Sequence, residues 1–418
     1  MMTEKEKEFV NRLRTAGARV FIVGGWVRDF LRQVPAHDKD YMVVGIDEKK
    51  FQQCFPDARR VGKAFPVYLV EIDGCHAEVA FARKEVKQGT GYRGFTVEYG
   101  SNVTLEEDLY RRDTTINSMA MELPAGKLFD PYGGARDVKQ GIIRPVSHHF
   151  AEDPVRALRA ARQAAEFGFI LAEETKAAMQ SCREELAEEP SERLMQELKR
   201  ALMTEKPSRF FYALQETNLL DVTFPELARL IGKTQPAAFH PEGDAFVHTM
   251  LVVDTVAAET DSLLARFCGL VHDLGKGETP AEMLPHHYDH EKRGQDVLKK
   301  WNSRMTLPKK WLQGGLFVIA QHMRAPRLSK AGKIAELLLN VAASPLAIAD
   351  FQAVIRADHH GLPAYLEQAE AIVMQMQKVN GGQAPKYLHG TQIGSWVRAQ
   401  QIKAYQNFMN QSQGESKL

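Results

Sequence analysis

The apolar positions of the chain fall into two textures. Up to about residue 145, short β-branched runs alternate with glycine-rich turns, a pattern that predicts strands and tight connections. Residues 20–23 read as a strand, Gly24-Gly25 as the turn after it, 26–32 as a helix and 41–44 as a second strand. The runs 66–72 and 75–81 flank Asp73-Gly74. That dipeptide signals a two-residue hairpin, because a type I′ turn needs positive φ at both central positions. From about Asp153 the period becomes helical, as in DPVRALRAARQAAEFGF and SERLMQELKRALM. Residues 188–192 interrupt the helices, and Ser191 is placed to cap the next one. The Pro-, Gly- and Thr-rich stretch 232–243 reads as a linker into a second helical block, which carries most of the histidines. The terminal QSQGESKL is polar and expected to be disordered. The fold class is α+β: a mixed-sheet domain over 1–145, helices over 146–235, a second all-α domain over 236–365 and a helical tail over 366–418.

A length of 418 residues suits two or three domains. No segment reaches the roughly 18 apolar residues of a membrane span, and MMTEKEKEFV has no apolar leader; the expectation is a cytoplasmic protein without a membrane partner. Cys54, Cys75, Cys182 and Cys268 are scattered, which argues against a disulfide framework or a cysteine zinc site. The net charge is +1, so a polyanion would have to meet a local basic patch.

Candidate chemistry begins at FIVGGWVRDFL and HDKDYMVVG. Asp38 and Asp40 are two apart on an expected strand, so both would face one side. Neighbouring carboxylates repel unless a cation lies between them, and nucleotidyl transfer uses such cations to clamp the attacking and leaving oxygens. The Gly24-Gly25 turn opens a helix whose first N–H groups suit a triphosphate, with Arg28 on its first turn. Glu78, on the hairpin, is a third candidate carboxylate.

This order of motifs resembles the head of class II tRNA nucleotidyltransferases and bacterial poly(A) polymerases, within the polymerase-β superfamily. The resemblance implies Mg²⁺ on Asp38 and Asp40, and contacts from Gly24, Gly25 and Arg28 to the nucleotide. ARKEVKQGTGYRGF resembles the family's flexible loop, ending at Tyr92 to Phe95. LEEDLYRRDTTINSMA contains its RRD element, here Arg111, Arg112 and Asp113, with Asn117 following. AEDPVRALRAARQAAEFGF resembles its nucleotide-selecting helix, with Glu152, Asp153 and Arg156 in the EDxxR positions. Trp26 and Gln163 depart from the usual residues.

Asp153, Arg156, Arg159 and Arg162 recur every third residue and trace a polar stripe. C and A each present an amino donor beside a ring-nitrogen acceptor, which suits a carboxylate acceptor and a guanidinium donor; U and G present an oxygen instead. The protein would then act as its own template.

In the C-terminal half, FVHTM, LVHDLGKG and IRADHHG supply His248, His272, Asp273 and Asp358, and LPHHYDHEKRG and AQHMR add His290 and His322 as auxiliary groups. Imidazoles with carboxylates suit Mg²⁺ or a divalent transition metal such as Ni, Mn or Co. The set resembles the HD superfamily of metal-dependent phosphohydrolases. Together the resemblances imply addition of C, C and A to the tRNA 3′ acceptor end from CTP and ATP, with phosphatase or 2′,3′-cyclic phosphodiesterase activity in the HD domain. An A-adding enzyme, a poly(A) polymerase, or an HD phosphohydrolase with an inactive head are the alternatives.

Overall fold

The run Arg19–Val23 is buried on both faces from its second residue onward, as its unbroken apolar sequence demands of a central strand. It is β1 of a computed structural model that describes residues 2–36, 38–61, 65–87 and 95–415. Two compact units are present: Met1–Glu197 with Tyr212–Thr223, and Leu198–Phe211 with Phe224–Leu418.

In the first unit, α1 (Glu4–Thr15) precedes β1, and α2 (Gly25–Leu31) leads to β2 (Asp40–Val44). Then come α3 (Glu48–Cys54), β3 (Arg59–Arg60), β4 (Val67–Ile72) and β5 (Cys75–Phe81). A separate ribbon, β6 (Arg83–Lys87) with β7 (Phe95–Tyr99), is followed by α4 (Leu105–Tyr110). The unit continues with β8 (Ala120–Leu123), β9 (Lys127–Phe129), α5 (Gly134–Gln140) and α6 (Val155–Phe167). The seven-stranded sheet runs β3-β4-β5-β2-β1-β8-β9. It is mixed: β2 and β5 are parallel, and β1 is antiparallel to both its neighbours. The β4–β5 hairpin turns on Asp73 (φ 55°) and Gly74 (φ 76°), as the dipeptide requires.

Two local expectations differ from the structure. Asp38 is not on a strand: it sits in the left-handed region at φ 49°, and β2 begins only at Asp40. Ser191 is the first residue of the helix Ser191–Leu202 rather than the cap before it.

The second unit is helical. Ala245–Glu259, Leu263–Val271, Lys309–Gln321, Ala331–Ala343, Ile348–His359 and Ala369–Gln377 contribute to one apolar core that includes Val256, Cys268, Val318, Leu338, Val354 and Ile372. The 232–243 stretch belongs to this unit, and Thr234 bridges to Asp244 across it. Gly275 has no room for a side chain: a Cβ there would stand 1.9 Å from the His290 carbonyl oxygen. Its absence lets the 3₁₀ turn Leu274–Glu278 press against the helix His290–Arg304. The last helix, Thr391–Glu415, runs into the polar terminal segment where disorder was expected. No single helix is long and apolar enough to cross a membrane.

Candidate active site and metal centre

In the first unit a cavity of about 910 Å³ is lined by Gly24, Gly25, Arg28, Asp40, Glu78, Arg112, Asp113, Asn117, Asp153, Arg156, Arg159 and Arg162. Of the head carboxylates singled out from the sequence, Asp38 and Glu152 do not line it; Asp38 is exposed two positions before Asp40. The parallel register Tyr41↔Val79 explains why Glu78 arrives beside Asp40. Burial, then the charges of Glu78 and Asp38, raise the Asp40 carboxyl above its ordinary range, against the opposing pull of Arg112. A carboxyl crowded in this way by two other acidic side chains fits a site for a divalent cation.

The strand that carries Asp40 is anchored from behind. Lys39 donates to both oxygens of the buried Glu6 on α1 at 2.8 Å, and Tyr41 donates to Glu6 at 2.7 Å. Alternation along the strand therefore turns Lys39 and Tyr41 toward α1 and leaves Asp40 for the cavity.

Arginines form the opposite wall, each held by a partner. Arg28 donates to the Asn117 side chain at 2.7 Å, and its guanidinium lies 4.2 Å from the Phe167 ring centre. Arg112 donates twice to Asp108, at 3.1 and 2.9 Å, and once to the Asn117 carbonyl at 3.1 Å. Asp108 also receives Arg111 at 2.5 Å. Burial opposes its ionisation, yet Arg112 and Arg111 outweigh that and hold the carboxyl below its ordinary range.

α6 supplies the remaining cations. Ala157, Ala160, Ala161 and Ala164 form its buried side at i, i+3, i+4 and i+7, and Gly168 in the left-handed region ends it. Arg156 donates to the His149 carbonyl at 2.6 Å and Arg162 to Glu197 at 2.6 Å. Arg159 and Gln163 both reach Asp113, at 2.8 and 3.2 Å. Asp153 lies just before the helix rather than within it: one oxygen accepts the Val155 N–H at 3.2 Å and the other accepts Arg193 at 2.9 Å. Of the expected flexible-loop end, Tyr92 to Gly94 lie outside the described residues and Phe95 opens β7.

In the second unit the predicted histidines and aspartates converge. His248 Nε2 stands 3.1 Å from Asp358 Oδ1 and 3.7 Å from Asp273 Oδ2. His272 Nε2 stands 3.2 Å from Asp273 Oδ2. The other oxygen of Asp273 lies 3.4 Å from both His290 and His322. One carboxylate is thus shared between a His248–His272 group and a His290–His322 group, both close enough to ligate a metal. All six residues are buried. His272 Nε2 and Asp273 Oδ1 have no hydrogen-bond partner, although buried polar atoms almost always find one. A cation among these histidines and aspartates would satisfy both. Burial lowers the His272 pKa, but Asp273 and Asp358 outweigh it and raise it to about 9.

Several supporting residues were not found from the sequence. Glu242, in the expected linker, receives His248 Nδ1 at 2.7 Å and orients the ring. Lys276 lies 2.6 Å from Asp273 Oδ2, and His359 lies 3.1 Å from Asp358 Oδ2. In the head, Asp108 had a legible signal, since it precedes Arg111 and Arg112 by three and four residues on a helix. Glu6 had none.

Three stretches of the chain match known families. Residues 20–144 match the poly A polymerase head domain, 168–231 a probable RNA and SrmB-binding site of polymerase A, and 238–350 the HD domain. A multifunctional CCA protein of Xanthomonas campestris pv. campestris (strain B100) is 40% identical over 405 residues, covering 92% of this chain and 98% of the relative. One of Aromatoleum aromaticum is 48% identical over 294 residues, covering 69% and 71%. Among solved structures, a tRNA-processing enzyme in an apo form aligns with a TM-score of 0.63 at 22% identity, covering 96% of this chain and 98% of the other. A CCA-adding enzyme with ATP aligns at 0.62 and 20% identity, covering 97% and 90%. At those identities the structures establish the shared fold. The near full-length identity to curated relatives goes further: this chain belongs to the family of multifunctional CCA proteins.

Proposed function

We propose that this protein is a tRNA nucleotidyltransferase that adds C, C and A to the 3′ acceptor end, using CTP and ATP and no nucleic-acid template. The observation that carries the reading is the single cavity that sets Asp40 and Glu78 against Arg28, Arg112, Asp153 and the α6 arginines. Asp38 and Asp40, with Glu78 beside them, would hold Mg²⁺, which when bound stabilises charge on the attacking 3′ oxygen and on the departing pyrophosphate. The Gly24-Gly25 turn lets the backbone approach the triphosphate. Arg28 and Arg112 neutralise it, and their partners Asn117 and Asp108 hold both guanidiniums in place. Asp153 and Arg156 present an acceptor and donors to the edge of C or A, with Arg159 assisting, and Arg162 joins the contacts to triphosphate or ribose.

The second unit is a metal-dependent phosphohydrolase acting on phosphomonoesters or 2′,3′-cyclic phosphodiesters. His248, His272, Asp273 and Asp358, supported by His290 and His322, would hold a transition metal (Ni, Mn or Co) or Mg²⁺, and Lys276 places a cation beside the site.

Incorporation of each labelled NTP onto tRNA ending at the discriminator base tests the first activity. Two C and one A, with U and G refused, is the expected result. Addition of A alone to tRNA already ending in CC would mark an A-adding enzyme, long A tails a poly(A) polymerase, and no incorporation would defeat the reading.

A further inference from the structure

A second hollow, of about 600 Å³, lies in the first unit, lined by Trp26, Phe30, Leu31, Gln33, Val34 and Ala36. Trp26 and Phe30 are one turn apart on α2 and stack with centroids 5.4 Å apart and planes 9° from parallel. Phe30 is 52% exposed and Val34 39%. Single exposed apolar residues are ordinary, but a stacked aromatic pair among aliphatic neighbours in a hollow marks a binding surface.

The chain itself ties this hollow to the catalytic carboxylates. Trp26 follows Gly25, which lines the nucleotide cavity, and Ala36 is two residues before Asp38. Lys39, between Asp38 and Asp40, holds its ammonium 5.6 Å from the Trp26 ring centre. Arg32 borders the other end of α2, and each of these cations is shared with one carboxylate, Glu6 and Asp29 respectively.

We infer that the Trp26–Phe30 hollow is a stacking platform for the 3′-terminal bases of the RNA strand being extended; the inference rests on the transferase reading above. Transfer brings two polyanions to the same carboxylates. The triphosphate takes the arginine-lined cavity, so the strand that offers its 3′-hydroxyl must approach from another side. Ala36 of this hollow is two residues before Asp38. Its chemistry also fits a terminus that changes during the reaction: the strand ends first in whatever base precedes the added nucleotides, and then in C. Fixed donors and acceptors would refuse most of these ends, whereas an aromatic face accepts any base. Gln33 is the one polar residue among the six that line the hollow. Flanking cations suit the RNA backbone.

The test is the kinetics of C addition to tRNA lacking its CCA end, comparing wild type with Trp26→Leu, Trp26→Tyr and Phe30→Leu. Trp26→Leu keeps apolar bulk and should raise the KM for tRNA roughly tenfold, while the KM for CTP stays within about twofold. Trp26→Tyr should restore most of the loss. An unchanged KM for tRNA in Trp26→Leu, or an equal rise for CTP, overturns the platform. Binding is read independently of turnover by the tryptophan fluorescence of the full chain with a short oligoribonucleotide ending in CC. Quenching is expected in wild type and absent in Trp26→Phe; quenching that survives the substitution overturns the inference. A wild type that fails to extend tRNA counts against the transferase reading alone.

Discussion

Asp113 and Arg159 are joined by a 2.8 Å ion pair that reaches from the RRD segment to the middle of α6. Burial would raise the Asp113 carboxyl, but Arg159 and Arg156 outweigh it and hold the group well below the usual range. The RRD segment and α6 are therefore held together by one buried carboxylate. Asp113→Ala should destabilise the first unit by about 2 kcal/mol, less than breaking a fully buried pair, because Arg159 is 42% exposed. Misincorporation of U should rise with it, since Arg159 loses its tether. Thermal unfolding and NTP competition measure the two effects.

The same pair sets an acid dependence. Asp113 has a depressed pKa in the folded state, so its stabilisation is complete above the unfolded value near pH 4 and is lost as pH falls toward the folded value. The difference in Tm between wild type and Asp113→Asn should thus be widest near neutrality and shrink below about pH 4. A difference that grew on acidification would contradict the assignment.

Asp38→Ala and Asp40→Ala should each reduce nucleotide transfer by more than about 10³-fold and spare phosphohydrolysis. Asp273→Ala should do the reverse and lower bound metal, because its two oxygens face both histidine groups. Paired assays on one preparation, with metal content by elemental analysis, decide the matter.

Asp108 lines the cavity with the residues singled out above, and it holds both Arg111 and Arg112. Asp108→Asn should raise the KM for CTP and for ATP alike, by roughly tenfold, as Arg112 loses its charged partner. Base selection should be unaffected. A selective loss of one nucleotide would place Asp108 elsewhere in the mechanism.

What could be read from the sequence was local chemistry. The Asp73-Gly74 hairpin, the glycine turn before α2 and the alanine side of α6 each follow from a few adjacent residues. The gathering of histidines and aspartates in the second unit was legible because imidazole and carboxylate recurring along predicted helices have few other reasons to converge. Asp38 was misplaced because alternation assumes an extended backbone, and its positive φ breaks that assumption. Glu6 and Glu242 act through tertiary contact, with Lys39 and with a histidine six residues on, and neither carries a motif.

The two units are interleaved rather than strung end to end: the backbone passes from one to the other after Glu197, after Phe211 and after Thr223. A fragment stopping at residue 223 would keep every residue of the first unit. It would also carry 198–211 without the rest of the unit that buries Leu198, Leu202, Phe210 and Phe211, none of which has any exposed surface in the full chain. Severing the chain at that point leaves a sticky apolar flap, so neither activity is a detachable cassette. Truncation would report on solubility before it reported on catalysis, and point substitutions are the sound way to silence one centre while keeping the other.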